Sequence, residues 1–232
     1  MDDYATSREA ADPWCLRDGE AKALLAGHPW RRFAVLGDSV AEAVFDPIDG
    51  YAPVAWCDRV AAELRGHRPE LAYLNLGRRN LRAAQIREEQ LAGALAFGPD
   101  LALVACGAND AMDPRYKFAA VARELTAMVD ALRAGGCAGI MTVGVLVLVG
   151  YPGIPAWLRT GVAERIRALG DSTRELSAEL GTIHIDLTWH PAGDAPGMHS
   201  DDGLHGNGRS HAISAAEAVR RLGAHLGNVT AS

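Results

Sequence analysis

Residue types that can carry out nucleophilic chemistry occur in three short segments, far apart in the sequence. Gly37-Asp38-Ser39 follows one apolar run, Gly107-Ala108-Asn109-Asp110 follows another, and Asp202-Gly203-Leu204-His205 lies near the end of the chain. A serine hydroxyl is a poor nucleophile until a base removes its proton, and an imidazole does this best when a carboxylate fixes its tautomer. If the fold brings the three segments together, they predict acyl transfer at Ser39, with His205 as the base and Asp202 as its partner.

The amide of Asn109 suits a second requirement of acyl transfer, which is stabilisation of the oxyanion. Its NH₂ group can donate a hydrogen bond to that oxygen, and one such donor is worth about 3–4 kcal/mol in the transition state. Alternatively, Asn109 only stabilises its own turn, and Ser39 only caps a helix. Both alternatives become weaker when the three segments are considered together.

The elements that must position these residues alternate along the chain. Apolar runs predict five strands, at residues 33–36, 71–76, 101–106, 140–149 and 182–187. Helical spacing of apolar residues predicts helices at 54–64, 81–97, 117–133, 156–180 and 210–226, with Gly161 and Gly170 as potential interruptions. This alternation indicates an α/β fold with an open parallel sheet and helices on both faces. Ligands of such sheets bind at the carboxyl ends of the strands, where the polar segments are expected to meet.

Length and composition restrict the class of protein. The chain has 232 residues, 49% of them hydrophobic, and 23 Lys and Arg against 29 Asp and Glu. We interpret residues 1–30 as an N-terminal arm with a short helix at 19–26, and residues 31–232 as a single catalytic domain. A net charge of −6 without a basic stripe argues against nucleic-acid binding. The longest apolar run is too short to span a bilayer, and the polar N-terminus lacks a signal-peptide core, so we expect a cytoplasmic protein.

Neither a disulfide framework nor a metal site is expected. Cys15, Cys57, Cys106 and Cys137 are scattered without a Cys-x-x-Cys pair. His205, His211 and the neighbouring aspartates lack a recognisable metal-ligand spacing. The predicted chemistry needs no metal and no organic cofactor.

The three polar segments resemble, in the right order, the first, third and fourth of the four sequence blocks of the SGNH (GDSL-type) hydrolase family, over residues 31–226 of this chain. The resemblance implies a serine esterase with a three-layer, flavodoxin-like α/β/α fold and a central five-stranded parallel sheet. It also implies that Ser39 is the nucleophile, His205 the general base and Asp202 the residue that orients His205. The oxyanion hole would comprise the Ser39 N–H, the Asn109 side chain and a main-chain N–H from the second block.

The second block departs from the family's pattern. The donor glycine usually lies five residues after the block's asparagine, which places Asn80 at that position, whereas Gly77 is two residues after Asn75. The required group is a main-chain N–H, and asparagine is the non-glycine residue that most readily adopts positive φ. We therefore favour Asn80 over Gly77 as the donor.

Several alternatives remain open. His190 is a rival base and Asp201 a rival for Asp202. An acyltransferase would use the same residues with an alcohol or amine in place of water, and a flavodoxin-like binding module would use no nucleophile. The expected partner is a small-molecule ester or thioester. The loops at 44–53, 111–116, 150–156 and 188–204 are expected to shape its pocket, with Tyr151, Trp189 and Met198 as candidate wall or core residues.

Overall fold

A five-stranded sheet lies at the centre of the computed structural model, which describes residues 7–42, 44–148 and 150–230. Its strand order is β2-β1-β3-β4-β5, and every neighbouring pair is parallel. The strands are β1 (Arg32–Gly37), β2 (Ala72–Asn75), β3 (Leu101–Ala105), β4 (Gly139–Gly144) and β5 (Ile183–Asp186). The predicted five-stranded parallel sheet is therefore confirmed.

Helices cover both faces of the sheet, which confirms the three-layer α/β/α fold. They are α1 (Ser7–Ala11), α2 (Glu20–Leu24), α3 (Ser39–Glu42), α4 (Trp56–His67), α5 (Ala83–Phe97), α6 (Ala108–Ala111), α7 (Phe118–Ala134), α8 (Ala156–Leu180) and α9 (Gly208–Thr230), with a 3₁₀ helix at Pro191–Asp194. Side chains of α2, α4 and α9 pack on one face of the sheet, and side chains of α5, α7 and α8 pack on the other.

The burial of β3 explains why its sequence is apolar throughout. Successive side chains of a strand point to opposite faces. Leu101 and Leu103 accordingly belong to the cluster that contains α4 and α9, whereas Ala102 and Val104 belong to the cluster that contains α5 and α7. A strand covered by helices on both faces has no solvent-facing side where polar residues would be favoured.

The main difference from the sequence prediction lies in the fourth strand. It was expected to extend to residue 149, which lies outside the described residues, but β4 ends at Gly144. Residues 145–148 have left the sheet, and Val145, Leu146 and Leu148 line a pocket instead. Their apolar character therefore reflects the pocket wall, which a strand pattern does not distinguish.

Helix α8 is continuous through both of its glycines. Gly170 is buried where a Cβ atom would come within 2.0 Å of Oγ1 of Thr188, so glycine permits close packing of α8 against the segment after β5. Gly161 would meet only the end of the Arg165 side chain. Neither residue interrupts the helix, because packing along its length outweighs the low helix propensity of glycine.

Ion pairs join the N-terminal segment to helices α4 and α9. These pairs are Glu9–Arg59 at 2.5 Å, Asp12–Arg209 at 2.7 Å and Glu20–Arg220 at 2.7 Å. The sequence predicted α2 within this segment but missed α1, whose five residues are too short for a periodic pattern.

All four cysteines are free. No helix in the described ranges has both the length and the apolarity needed to cross a membrane.

Candidate active site

The turn after β1 places Ser39 at the edge of the sheet, as the first residue of α3. Asp38 precedes it and is fully buried, and its Oδ1 accepts the N–H of Val40 at 3.0 Å. The turn also needs Gly37, because a Cβ atom there would lie 2.3 Å from the carbonyl oxygen of Ala105. Each residue of the Gly-Asp-Ser segment thus has a distinct role: close packing, fixing of the turn and presentation of the hydroxyl.

Asp202 and His205 form a hydrogen-bonded pair. Nδ1 of His205 lies 2.6 Å from Oδ2 of Asp202, while Oδ1 of Asp202 accepts the main-chain N–H groups of Leu204 and His205, both at 2.9 Å. A carboxylate can only accept, so Nδ1 of His205 carries the proton and Nε2 has a free lone pair. Burial alone would raise the pKa of Asp202, but these hydrogen bonds outweigh it and lower that pKa to about 2. Asp202 therefore stays ionised at neutral pH.

One pocket brings Ser39 and His205 together with both candidate asparagines, Asn80 and Asn109. Its volume is about 140 Å³. Residues far apart in the sequence meet here because Ser39, Asn80 and Asn109 follow the carboxyl ends of β1, β2 and β3, which share one edge of the parallel sheet, and the long loop after β5 brings His205 to the same pocket. Asp202 stands behind His205 and does not itself line this pocket in the part of the chain that the structure describes.

The two candidate donors of the second block occupy different environments. Asn80 lines the pocket with φ of +67°, in the left-handed region that asparagine tolerates best. The N–H of Gly77 is already donated to Oδ1 of Asn75 at 2.9 Å, and a Cβ atom at Gly77 would lie 2.3 Å from the nitrogen of Glu42. Gly77 therefore serves the packing of this loop against α3, and the geometry favours Asn80 as the donor.

Asn109 is held at the start of α6 by two acceptors. Its Nδ2 donates to the carbonyl oxygen of Leu81 at 3.0 Å and, in a longer contact, to Oδ2 of Asp38 at 3.4 Å. The first bond fixes the amide, whereas the second is long enough for its hydrogen to turn towards a stronger acceptor. An oxyanion in the pocket would be such an acceptor.

Two carboxyl groups beside Asn109 have raised pKa values. Burial raises the pKa of Asp38 to about 7, against the effect of the Val40 N–H and with a smaller contribution from the nearby Asp110. Burial also raises the pKa of Asp110, whose Oδ2 accepts the N–H of Ala83 at 2.9 Å and so satisfies a donor at the start of α5. Asp110 thus joins the third block to the loop that carries Asn80.

The rival residues make other contacts. Nδ1 of His190 accepts the N–H of Ala192 at 3.1 Å, and His190 does not line the pocket formed by the described residues. A further histidine, His184, is buried in β5 with Nδ1 3.0 Å from Oγ1 of Thr142, and burial lowers its pKa to about 4. The main chain of Asp201 binds Asp46, and within the described ranges its carboxylate makes no hydrogen bond to His205.

The pocket wall was only partly predicted. Each of the four loops named from the sequence contributes at least one residue, in the order Val44, Met112, Tyr151 and Leu204. Trp189 is instead 57% exposed, and Met198 is buried in the core. Sequence reasoning missed the start of α9, which contributes Ser210, His211 and Ser214. Polar residues at helical spacing in an otherwise apolar stretch were the available signal.

Across the described ranges, no group of three or more His, Cys, Asp or Glu side chains is arranged to hold a metal ion. The groups that the site does contain are a serine hydroxyl, the imidazole–carboxylate pair and hydrogen-bond donors.

Several solved structures share this fold at low sequence identity. An acetylxylan esterase from Geobacillus stearothermophilus, Axe2, superposes with a TM-score of 0.62 and 16% identity, covering 83% of this chain and 94% of its own. TesA gives a TM-score of 0.66 and 20% identity, covering 82% and 97%. LAE5, an alpha/beta hydrolase enzyme from the metagenome of Lake Arreo, Spain, gives 0.60 and 17%, covering 83% and 95%. No curated protein sequence gives a significant match.

The sequence itself matches a known family over most of its length. The model of the GDSL-like lipase/acylhydrolase family covers residues 35–213, from β1 into α9. The matched stretch includes all three polar segments, and the resemblance inferred from them is confirmed. The chain belongs to the GDSL-like lipase/acylhydrolase family.

Proposed function

We propose that this protein is a serine esterase that hydrolyses a small-molecule ester or thioester through an acyl-enzyme on Ser39. The observation that carries the proposal is the 2.6 Å bond between Asp202 and His205, at the wall of the pocket that also contains Ser39. This bond leaves Nε2 of His205 as a proton acceptor on the side of the ring away from Asp202. An imidazole held in this tautomer and lining the same pocket as a serine supports nucleophilic acyl transfer.

Acylation would begin when Oγ of Ser39 attacks the carbonyl carbon of the substrate. Nε2 of His205 takes the hydroxyl proton, and the resulting imidazolium is stabilised by the ionised Asp202. The carbonyl π electrons move onto oxygen, which becomes the oxyanion of a tetrahedral intermediate. When this intermediate collapses, the bond to the leaving group breaks and His205 returns the proton to the departing alcohol or thiol.

The oxyanion would be bound by main-chain N–H groups and one side-chain amide. The N–H groups of Ser39 and Asn80 have no acceptor in the described ranges, so both are available as donors. The third donor is Nδ2 of Asn109, after its long contact with Asp38 is released. Donors fixed before the reaction need little reorganisation when charge develops on the oxygen.

Deacylation repeats the same steps with water as the nucleophile. His205 removes a proton from a water molecule, the hydroxide oxygen bonds to the acyl carbon, and the Ser39 ester bond breaks. Ser39 recovers its proton from His205, and a carboxylic acid is released. The residues involved are those already named, so no metal or organic cofactor is part of the proposal.

Covalent labelling gives a direct test. A fluorophosphonate should add one mass increment to the wild-type protein, on Ser39, and none to Ser39→Ala, since the probe reacts with activated serines. Ser39→Ala should also lose p-nitrophenyl ester hydrolysis while its circular dichroism spectrum is unchanged. Ser172→Ala, on α8 and away from the pocket, is the matched control and should be labelled normally. Labelling of Ser39→Ala to the wild-type extent would contradict the proposed nucleophile.

A further inference from the structure

The pocket around Ser39 has a polar wall at the start of α9. Ser210, His211 and Ser214 form this wall, and they have no role in the chemistry proposed above. The apolar part of the lining comprises mainly Val143, Val145, Leu146, Leu148, Ile166 and Leu187. A polar wall inside an apolar pocket fixes the orientation of a ligand and provides specificity.

His211 is held rigidly in this wall. Its side chain is 7% exposed, its ring stacks on Phe45 with 4.4 Å between the centroids, and its Nδ1 accepts the N–H of Trp56 at 3.1 Å. Since Nδ1 accepts, the single proton of the neutral ring is on Nε2. Burial lowers the pKa of His211 to about 3, so the ring is neutral over the physiological range. His211 therefore presents a fixed N–H donor and cannot serve as a second general base.

The N–H group at Nε2 of His211 is available to a ligand. It has no hydrogen-bond partner in the described part of the chain. Four side-chain atoms in the described ranges are both inaccessible to solvent and without a hydrogen-bond partner: Nδ1 of His28, Nε2 of His184, Oγ1 of Thr188 and Nε2 of His199. Nε2 of His211 is not one of them, so it is accessible. Because Nε2 is unpaired but still accessible, and His211 lines the pocket, this N–H faces the pocket.

The hydroxyl groups on either side of His211 differ in availability. Oγ of Ser210 donates to the carbonyl oxygen of Met198 at 2.7 Å, so its proton is already engaged. Ser214 lies three residues after His211, on the same side of α9, and its hydroxyl has no partner in the described ranges. His211 and Ser214 together form a short polar strip next to the apolar wall.

The group expected to fill this space is the acyl group of the substrate. Val143, Ile166 and Leu187 belong to the apolar lining and are 5%, 3% and 3% exposed, so the protein core backs this part of the wall. A wall backed by the core suits the part of the substrate that stays bound to Ser39 until water arrives, whereas the leaving group must escape before deacylation. The whole pocket, including the part around Ser39, has a volume of about 140 Å³, close to that of an engineered cavity that binds benzene, so it suits a short acyl group.

We propose that His211 recognises a hydrogen-bond acceptor within the acyl chain, so that the preferred substrates are esters of short acids that carry an ether or keto oxygen. A plain alkyl chain would displace solvent from Nε2 and leave the N–H unpaired, which is costly in an apolar pocket. An oxygen at the right position replaces the lost hydrogen bond. This inference rests on the proposed esterase function and adds the class of acyl group to it.

The test compares three isosteric substrates, the p-nitrophenyl esters of hexanoic, 3-ethoxypropanoic and 4-methoxybutanoic acid. Each ether replaces one methylene group of the hexanoyl chain by oxygen, at adjacent positions. We expect one ether ester to exceed the hexanoate in kcat/KM by about tenfold, because the plain alkyl chain leaves a buried donor unpaired. All rates are divided by the hydroxide-catalysed rate of the same ester, which removes the intrinsic effect of the ether oxygen on reactivity.

His211→Asn separates recognition from folding. The Asn side-chain oxygen can still accept the N–H of Trp56, but nothing replaces the donor at Nε2. The corrected ratio of ether to alkyl ester should fall towards one in this variant. His225→Asn makes the same change further along α9, away from the pocket, and should keep the wild-type ratio.

The outcomes distinguish the two proposals. A corrected wild-type ratio near one for both ethers, or an unchanged ratio in a folded His211→Asn, would overturn the recognition by His211 while the esterase function stands. If His211→Asn fails to fold, the corrected ratio of ether to alkyl ester in the wild-type protein decides whether the pocket recognises the oxygen. If the wild-type protein neither hydrolyses any of the esters nor forms a fluorophosphonate adduct, both proposals are overturned.

Discussion

Asp202 binds His205 twice, through Nδ1 of the imidazole at 2.6 Å and through the main-chain N–H at 2.9 Å. The two bonds use different carboxylate oxygens, so the same aspartate shapes the turn and orients the ring. Asp202→Asn would retain an oxygen for the main-chain N–H but would present an NH₂ group to Nδ1. That group favours the tautomer with its proton on Nε2, which cannot accept the proton of Ser39. We expect kcat for ester hydrolysis to fall by about 10⁴-fold with an unchanged circular dichroism spectrum.

The neighbouring aspartate provides a matched control. Asp201→Asn changes the same group one residue earlier, where the carboxylate makes no hydrogen bond to His205 among the described residues. Its kcat should stay close to the wild-type value. Equal losses in the two variants would mean that Asp202 does not orient the base.

Asn109→Ala removes the proposed side-chain donor of the oxyanion hole. Because the bond to the oxyanion strengthens only as charge develops, kcat should fall by about 10²- to 10³-fold while KM changes little. Steady-state kinetics on a p-nitrophenyl ester measures both constants. The bond from Asn109 to Leu81 also contributes to the fold, so thermal unfolding should be recorded in parallel. A lowered Tm with a wild-type kcat would show that Asn109 only stabilises its turn.

Asn80 tests whether a main-chain group is the second donor. Its φ of +67° is readily adopted by glycine and costs an alanine about 1–2 kcal/mol. Asn80→Gly retains the N–H and its direction. In Asn80→Ala the residue is strained at this φ, so the turn can relax and move the N–H. The kcat of the glycine variant should therefore stay well above that of the alanine variant. If both variants lose kcat equally, the side chain of Asn80 contributes and the main-chain assignment is wrong.

The sequence predicted the fold and two of its polar turns because the Gly-Asp-Ser and Gly-Ala-Asn-Asp segments lie at the carboxyl ends of the buried strands β1 and β3. The apolar run of β3 and the Gly-Ala-Asn-Asp that follows it illustrate this, since burial and the end of the strand are both local properties of the sequence. The preference for Asn80 over Gly77 came from the backbone tolerance of asparagine, which is also local. The chemical roles of these residues remain predictions.

The pocket could not be predicted in the same way, because it depends on packing between distant elements. Residues 145–148 read as the end of a strand, since an apolar pocket wall and an apolar strand have the same composition. His211 was considered only as a metal ligand, because its distinguishing contact, with the N–H of Trp56, joins residues 155 positions apart. No local pattern indicates such a pairing.

The buried carboxyl of Asp38 should make stability depend on pH. Burial raises its pKa from 3.8 to about 7 in the folded protein, whereas an unfolded aspartate ionises near the ordinary value. Between these values the unfolded state has lost a proton that the folded state retains, so this group lowers stability as pH rises from about 4 to about 7. Asp38→Asn cannot ionise and keeps an oxygen for the N–H of Val40. The Tm of this variant relative to the wild type should therefore rise between pH 4.5 and pH 8.

The expected change in the Tm difference between Asp38→Asn and the wild type is several degrees, since 1 kcal/mol moves the Tm of a domain of this size by about 2–4 °C. Differential scanning calorimetry at several pH values measures it. A difference between the two proteins that is constant with pH would mean that Asp38 is already ionised in the folded state across this range.

Gly153 connects the loop after β4 to the turn that carries Asp202. Its N–H donates to the carbonyl oxygen of Gly203 at 3.0 Å, and a Cβ atom would come within 2.1 Å of the carbonyl oxygen of Asp202. Gly153→Ala must therefore move one of the two loops. Because Asp202 and His205 share a single turn, the displacement would change the direction of Nε2 as well as the packing. We expect kcat to fall by at least about tenfold, since small displacements of reacting groups are costly.

Gly161→Ala separates this effect from the general consequences of adding a methyl group. Gly161 lies within α8, where the new methyl would meet only the flexible end of Arg165 at 3.2 Å. Alanine is favoured over glycine inside a helix by about 0.5–1 kcal/mol, so this variant should be slightly more stable and fully active. Overpacking at Gly153 should instead lower the free energy of unfolding by about 1–3 kcal/mol together with kcat. If Gly153→Ala lost stability but kept its kcat, the loop after β4 would support the fold without positioning the base, and the direction of Nε2 would depend on the Asp202 turn alone.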